Sequence, residues 1–137
     1  MSTLDSWFVG GVDIATVADL PDFTEVLRDP PAGGELVERD FIAGGVWITA
    51  PPAAYAYSVP LVMDSDSEDV ALAQLATIQS WVGQAKTFTR TVTRGATQVT
   101  QSHQGLITDV TPLWDLTNAR NLVEATVTVL NTSGRWS

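Results

Sequence analysis

The chain has 137 residues, of which 45% are hydrophobic and 17% are charged, and it contains no cysteine. This length is typical of one domain with its own core, and the composition excludes a disordered chain, a disulfide framework and a thiolate metal site. The formal net charge of −9 argues against gripping nucleic acid, because phosphate binding depends on cationic side chains.

Membrane insertion and secretion are not expected either. The longest apolar runs fall far short of the roughly 20 residues that cross a bilayer, and the amino terminus lacks a secretory signal. Charge is also uneven along the chain, because residues 1–85 hold 13 of the 16 acids whereas residues 86–137 hold five of the seven bases. This asymmetry predicts opposed faces that meet between copies of the chain, with a generic solubilising charge as the alternative.

The sequence opens with a predicted hairpin. Residues 7–9 and 12–14 are short strands separated by Gly10 and Gly11, and paired glycines supply the positive backbone angles that a tight hairpin needs. Residues 18–34 then form a long connection that ends in prolines and glycines, which remove ladder donors and loosen the backbone.

A second hairpin is predicted next. Residues 35–42 and 46–49 flank a turn at 43–45 that contains two glycines. We expect residues 28–45 to act as a flexible arm, because long connections inside compact domains are uncommon unless they have a role. The alternative is that this stretch is a surface loop without a specific role.

Residues 55–63 alternate with a period of two, which predicts a half-buried strand. Proline at position 60 cannot donate a ladder hydrogen bond, so the strand lies at a sheet edge or has a bulge there. The large apolar side chains that share one face are Tyr55, Tyr57, Val59, Leu61 and Met63.

One amphipathic helix follows. Ser65 as N-cap and Glu68 three positions later form a capping box, and Gly83 ends the helix. One face packs on a sheet because apolar residues recur at helical spacing. This stripe consists of Ala71, Leu75, Ile78 and Val82, widened by Leu72 and Trp81.

The last third of the chain predicts antiparallel strands. Residues 87–94 and 97–103 form a threonine-rich hairpin around Gly95, because threonine favours extended backbone. A separate short strand at 106–110, a connection at 112–121 and a final strand at 122–130 complete the chain. Side chains predicted to share a face are Phe88, Arg90, Val92 and Arg94 in the hairpin, and Val123, Ala125, Val127 and Val129 in the final strand.

These elements predict a mainly β fold with one α-helix. We expect an antiparallel β-sandwich with a flanking helix, built as one domain over residues 1–137.

The residues point to no catalytic or cofactor chemistry. The acidic stretch 64–69 fails as an EF-hand, which needs glycine at its sixth position and glutamate at its twelfth, and helix capping explains it better. His103 is the only histidine, so no multi-histidine metal site exists in one subunit. No phosphate loop or nucleophile elbow is present. We therefore predict a protein that is not an enzyme and binds no metal or cofactor.

Two alternatives stay open. Trp47, Tyr55 and Tyr57 form either a stacking platform for a sugar or part of the core, and aromatic residues at strand spacing favour the core. The other alternative is a small hydrolase that uses a pair of carboxylates. It stays open because the sequence alone does not give the distance between two acids in the fold.

The order of elements resembles the tail-tube-like domain of distal tail proteins of siphophages. The resemblance covers most of the chain, including the helix before a threonine-rich hairpin, and rests on order and spacing because each motif is only a strand flanked by small residues. The segments that carry it are residues 7–14, residues 40–47 and residues 127–136.

The resemblance implies a structural protein of the virion, assembled in the host cytoplasm. Six copies would form a ring between the tail tube and the baseplate hub, in contact with tube, hub and tape-measure proteins, and DNA would pass through without specific binding. The major tail tube subunit, which shares the fold, is the alternative. Family members often carry an additional carbohydrate-binding-like domain, for which this chain has no room, so a role in host adhesion is not expected.

Contacts between copies are expected at edge strands and at the arm. The residues predicted to lie in this interface are Arg39, Phe41, Trp47, Arg90 and Arg94, with the last two arginines pairing with acids of the neighbouring subunit.

Overall fold

The computed structural model describes residues 2–28, 34–39, 42–49, 54–64, 67–113 and 122–137. Within them lie eight strands and one substantial helix, so the predicted mainly β, antiparallel class is confirmed. The strands are β1 (Ser2–Val9), β2 (Val12–Asp13), β3 (Gly34–Arg39), β4 (Ile42–Thr49), β5 (Tyr55–Asp64), β6 (Ala85–Arg94), β7 (Thr97–Leu113) and β8 (Leu122–Asn131). The helices are a 3-10 turn (Ile14–Thr16), the short α1 (Thr24–Leu27) and α2 (Glu68–Gln79).

Six strands form one antiparallel sheet in the order β2-β1-β6-β7-β8-β5, and β3 pairs with β4 in a separate two-stranded sheet. The apolar core lies on one face of the large sheet, where α2, α1 and the 3-10 turn pack on it. A sandwich of two sheets stays a prediction, because the side chains described in this core come from the large sheet, the helices and the segments next to them. The flexibility of the arm at 28–45 likewise stays a prediction.

Tight glycine turns form where two of the hairpins were predicted. Gly10 and Gly11 have φ of 59° and 85°, and Gly95 has φ of 63°, in the left-handed region that glycine adopts without strain. The predicted turn of the other hairpin is wrong. β3 ends at Arg39 and β4 begins at Ile42, its partner across the pair, so the glycines at 43–45 stand inside β4. Residues 40 and 41 lie outside the described residues.

The period-two prediction for β5 is confirmed. Tyr57, Val59, Leu61 and Met63 are buried, and intervening residues such as Ala56 are exposed or half-buried. β5 pairs with β8 on one side only and forms the edge of the sheet. Pro60 stands where proline is tolerated, because the outer side of an edge strand needs no ladder donor.

Helix α2 begins later than predicted. Its N-cap is Ser67, whose hydroxyl accepts a hydrogen bond from the backbone N–H of Val70. The predicted cap, Ser65, lies outside the described residues. The predicted stop at Gly83 is wrong, because α2 ends at Gln79 with Ser80 as its C-cap, and the φ of 81° at Gly83 belongs to the turn that follows.

The buried face of α2 is narrower than predicted. Ala71, Leu75, Ile78 and Trp81 are buried as expected, whereas Leu72 and Val82 are 36% and 41% exposed. The chain has already left the helix at Val82, which forms a bridge with Ile107. Helical spacing therefore no longer sets the direction of that side chain.

Strand β7 is one continuous element of 17 residues, so the predicted break between residues 103 and 106 is wrong. Gly105 lies at this point, where a Cβ atom would lie 2.2 Å from the carbonyl oxygen of Leu130. The glycine allows β8 to approach closely rather than ending a strand. In β8, all four side chains predicted to point inward are buried.

Candidate functional site

Arg90 is the most unusual buried residue, because its side chain is fully enclosed within the subunit. Its Nη1 donates to the backbone carbonyl of Val26 at 2.8 Å, and its Nη2 and Nε donate to Oε1 of Gln101 at 2.7 and 3.1 Å. The guanidinium carbon also lies 4.5 Å from the ring centroid of Trp136. These contacts join α1, β6, β7 and the carboxy-terminal segment, and they compensate for removing the charge from water.

His103 and Tyr57 form a hydrogen-bonded pair beside this arginine. The Tyr57 hydroxyl lies 2.7 Å from Nε2 of His103, and Nδ1 of the histidine lies 3.0 Å from the carbonyl oxygen of Gln104. Burial lowers the pKa of His103 and raises the pKa of Tyr57 well above its ordinary value. Both side chains are therefore neutral at pH 7.

Aromatic rings surround the pair. The His103 ring stacks on Phe88 with centroids 4.9 Å apart, and Trp136 meets it edge to face at 4.4 Å. We call Tyr57, Phe88, Arg90, His103 and Trp136 the aromatic cluster. All five residues are buried, and their contacts join β5, β6, β7 and the carboxy-terminal segment.

The segment after β8 returns to the large sheet and positions Trp136. Ser137 exchanges two backbone hydrogen bonds with Ser102, at 2.9 and 3.0 Å. Asn131 shapes the turn, since its side chain accepts from the N–H of Gly134 at 2.9 Å. Backbone pairing thus carries the indole into the core.

The prediction that Arg90 contacts a neighbouring subunit stays a prediction, and two observations count against it: the side chain is buried, and it donates to Val26 and Gln101 of its own chain. Arg94, four positions along β6, is exposed beside the Gly95 turn. The other predicted interface residues lie on the separate sheet. Arg39 ends β3 opposite Ile42.

Trp47 in β4 pairs with Leu36 in β3. The side chains of Arg39 and Trp47 are not among those described, and Phe41 lies outside the described residues. Tyr57 counts against the predicted sugar platform because it is buried and bonded to His103.

The two ends of the large sheet differ in how open they are. The outer side of β5 is closed at Val62, which exchanges two backbone hydrogen bonds with Asp19 at 2.7 and 2.9 Å, and Pro60 offers no donor. At the other end β2 covers only Phe8 and Val9 of β1. No described strand pairs with the outer side of the preceding residues of β1, so this edge is open to pairing.

A groove of about 400 Å³ runs between the 3-10 turn and α2. We call it the helix groove, and sequence reasoning missed it because residues far apart in the chain form it. Its lining is mainly apolar, and Val70 is 49% exposed. The lining residues are Thr16, Val17, Asp69, Val70, Ala73, Gln74 and Thr77.

A smaller polar pocket adjoins the helix groove and shares Gln74 with it, and Asp19 and Asp64 lie on its wall. The Oε1 atom of Gln74 is buried, and no described donor reaches it. A buried acceptor without a partner costs about 1–3 kcal/mol. The helix groove and its polar pocket therefore offer three carboxylates and an unsatisfied carbonyl oxygen next to apolar surface.

The described ranges contain neither a metal site nor a membrane-spanning helix. No group of three or more potential ligand side chains is placed to hold an ion there. No helix described in this structure combines the length and the apolar character needed to cross a bilayer. Comparison with known proteins found no protein-family model and no curated protein that matches the chain.

Proposed function

We propose that this protein is a ring-forming structural subunit of a phage tail, placed at the distal end of the tail tube. The observation that carries the proposal is the pair of unequal sheets. The large sheet ends in an open β1 edge, and the β3–β4 hairpin hydrogen-bonds to no other described strand. Unpaired strand edges are templates for pairing with another chain, which supports an assembly role.

Charge supports the same proposal. The net charge of −9 would let DNA pass along a channel without adsorbing, because phosphates are repelled rather than bound. The aromatic cluster adds support, since the only histidine of the chain is buried in it and serves packing rather than catalysis.

The first experiment measures assembly of the full chain. Sedimentation velocity over a wide concentration range, with negative-stain electron microscopy, should detect rings of six copies, either alone or after addition of tube or hub protein. A strict monomer at every concentration, with no ring after those additions, would overturn the proposal.

The same images separate the distal ring from its alternative, the major tail tube subunit. Rings that cap a preformed tube and stop support the distal position. Rings of this chain alone that stack into long tubes support the tube subunit instead.

A hairpin variant tests the predicted interface residues. Phe41→Ser combined with Trp47→Ser should weaken ring formation at least tenfold while leaving the circular dichroism spectrum unchanged. The matched control is Val12→Ser, which changes an apolar residue that is 39% exposed at the β1–β2 turn. If the control and the hairpin variant assemble equally well, the hairpin is not the contact.

A glycan array tests the sugar-binding alternative. Specific binding by a monomer, with quenching of tryptophan fluorescence, would favour it over assembly.

A further inference from the structure

The helix groove has the length of a short stretch of peptide. Val70, Ala73 and Thr77 stand at helical spacing along one side of α2 and are exposed, and Val17, which follows the 3-10 turn, lines the groove with them. The rise of an α-helix gives about 10 Å between the first and the last of these helical positions. About three residues of extended chain span the same distance.

Negative charge lies in the groove and in the polar pocket beside it. Asp69 lines the groove, and Asp19 and Asp64 line the pocket. All three acids are exposed. Among the described residues that line the two cavities, none is basic. Charge complementarity therefore favours a cationic occupant.

Gln74 lines both cavities, and its buried Oε1 atom has no described donor. An occupant that donates a hydrogen bond to this oxygen would offset the cost of burying it. An arginine guanidinium presents five N–H donors in a rigid plane, so one head group can serve this oxygen and a carboxylate together. The methylene stem of arginine packs on apolar surface at the same time.

We propose that the helix groove binds a segment of another protein that combines arginine with apolar side chains. The arginine head binds in the polar pocket, and the apolar side chains pack on Val17, Val70 and Ala73. This binding site goes beyond the proposed function and does not depend on ring formation.

Two observations favour a segment of a different protein over the other occupants. Val70 is 49% exposed beside the groove, whereas a site for a small molecule buries most of its ligand. A second copy of this chain carries the same net charge of −9, so a basic segment of a different protein complements the acids better.

Isothermal titration calorimetry with synthetic peptides tests the site. The probe is an acetylated and amidated pentapeptide in which three leucines alternate with two arginines. One control peptide has glutamate in place of arginine, and the other has serine in place of leucine. The probe should bind at least tenfold more tightly than either control. Equal binding of the serine peptide would reveal general attraction to an acidic protein and would overturn the proposal.

Carboxylate variants locate the binding of the probe. Asp64→Asn combined with Asp69→Asn should weaken it at least tenfold, because two of the three carboxylates lose their charge. The matched control is Asp109→Asn combined with Glu124→Gln, which removes two charges from β7 and β8 and should leave the affinity within about twofold of wild type. Equal weakening by both pairs would place the peptide elsewhere on the surface.

Gln74→Leu separates binding from folding. It should weaken binding of the probe at least fivefold while the circular dichroism spectrum stays unchanged, because the acceptor is lost and the helix is not. An affinity equal to that of wild type would contradict the placement of the arginine head in the polar pocket.

Two further measurements test the choice of occupant. Butylguanidinium should bind at least tenfold more weakly than the peptide probe, and equal binding would assign the site to a small organic cation instead. Sedimentation velocity of Val70→Lys should match that of Val12→Lys, which changes an exposed valine outside the groove. Self-association that is lost only in Val70→Lys would assign the groove to a second copy and overturn the proposal.

Discussion

The aromatic cluster and the helix groove treat polar groups in opposite ways. In the cluster, Arg90 has its guanidinium bonded to Val26 and Gln101 and stacked on Trp136. In the groove, the carbonyl oxygen of Gln74 is buried without a described partner.

The comparison shows which buried polar side chains have hydrogen-bond partners within the fold and which do not. The polar groups of Arg90, Tyr57 and His103 have partners within the chain, whereas the indole N–H of Trp136 has no described one. Buried polar networks with most members satisfied help to specify a core, so we expect the cluster to contribute to stability. An unsatisfied acceptor beside apolar surface keeps a cost that a binding partner can remove, so the groove is the candidate binding surface of the described structure.

The largest expected effect is removal of the indole that closes the cluster. Trp136→Ala should lower the free energy of unfolding by about 4 kcal/mol, because a large buried ring leaves a cavity. Trp136→Phe should lose about 1–2 kcal/mol, since the described structure gives the indole N–H no partner. Urea denaturation measures both, and equal losses would contradict the importance of ring packing.

Two arginines on one strand provide a matched test of burial. Arg90→Met should lower the free energy of unfolding by about 3 kcal/mol, because it removes charged hydrogen bonds to buried acceptors. Arg94→Met should change it by less than about 1 kcal/mol, as expected for an exposed side chain. A similar loss in both variants would show that Arg90 is not the link between α1 and the sheet.

Two glutamines compare the regions directly. Gln101→Leu should lower the free energy of unfolding by about 2 kcal/mol, because it removes the acceptor of Arg90. Gln74→Leu should raise the free energy of unfolding by about 1 kcal/mol, because it removes an unsatisfied oxygen. Chemical denaturation gives both values. Destabilisation by Gln74→Leu would mean that the glutamine is satisfied in solution.

The smallest expected effect is a dependence on pH. Burial lowers the pKa of His103 below its ordinary value of 6.5, so the unfolded chain binds more protons below that pH and stability falls as pH decreases. His103→Gln should reduce the change in the free energy of unfolding with pH just below pH 6.5.

Asp5 and Asp22 act in a lower pH window than His103. Hydrogen bonds from Gln98 and Thr93 lower the pKa of Asp5, and those from Thr24 lower that of Asp22, both below 3.8. Their contribution is lost only at more acidic pH, so it does not overlap the histidine step. An unchanged slope in the His103→Gln variant would assign that step to another group.

Local patterns predicted the elements that depend on local physics. The alternation in β5, the edge position of Pro60 and the turn at Gly10 follow from side-chain period, a missing donor and positive φ. The choice of Ser67 over Ser65 as cap was not predictable from the capping box, because Glu68 stands three positions after Ser65 but directly after Ser67. Ser67 caps the helix by its own hydroxyl, which accepts from the N–H of Val70.

Features built from distant residues could not be predicted. Arg90 meets a carbonyl 64 positions earlier in the chain. Alternation placed it on one face with Phe88 and Val92, but did not indicate that this face is buried or what the guanidinium meets there. Likewise, the helix groove joins Val17 to Val70, and no spacing rule connects them.

The sheet order also has a consequence for how the chain is made. β1 pairs with β6, so that Ser2 lies opposite Arg94, and Trp136 completes the packing around the same strand. Contacts between segments so distant in sequence slow folding, which places β-rich domains of this kind in the millisecond-to-second range. During synthesis on the ribosome, closure of the interior must therefore wait until Trp136 has left the exit tunnel.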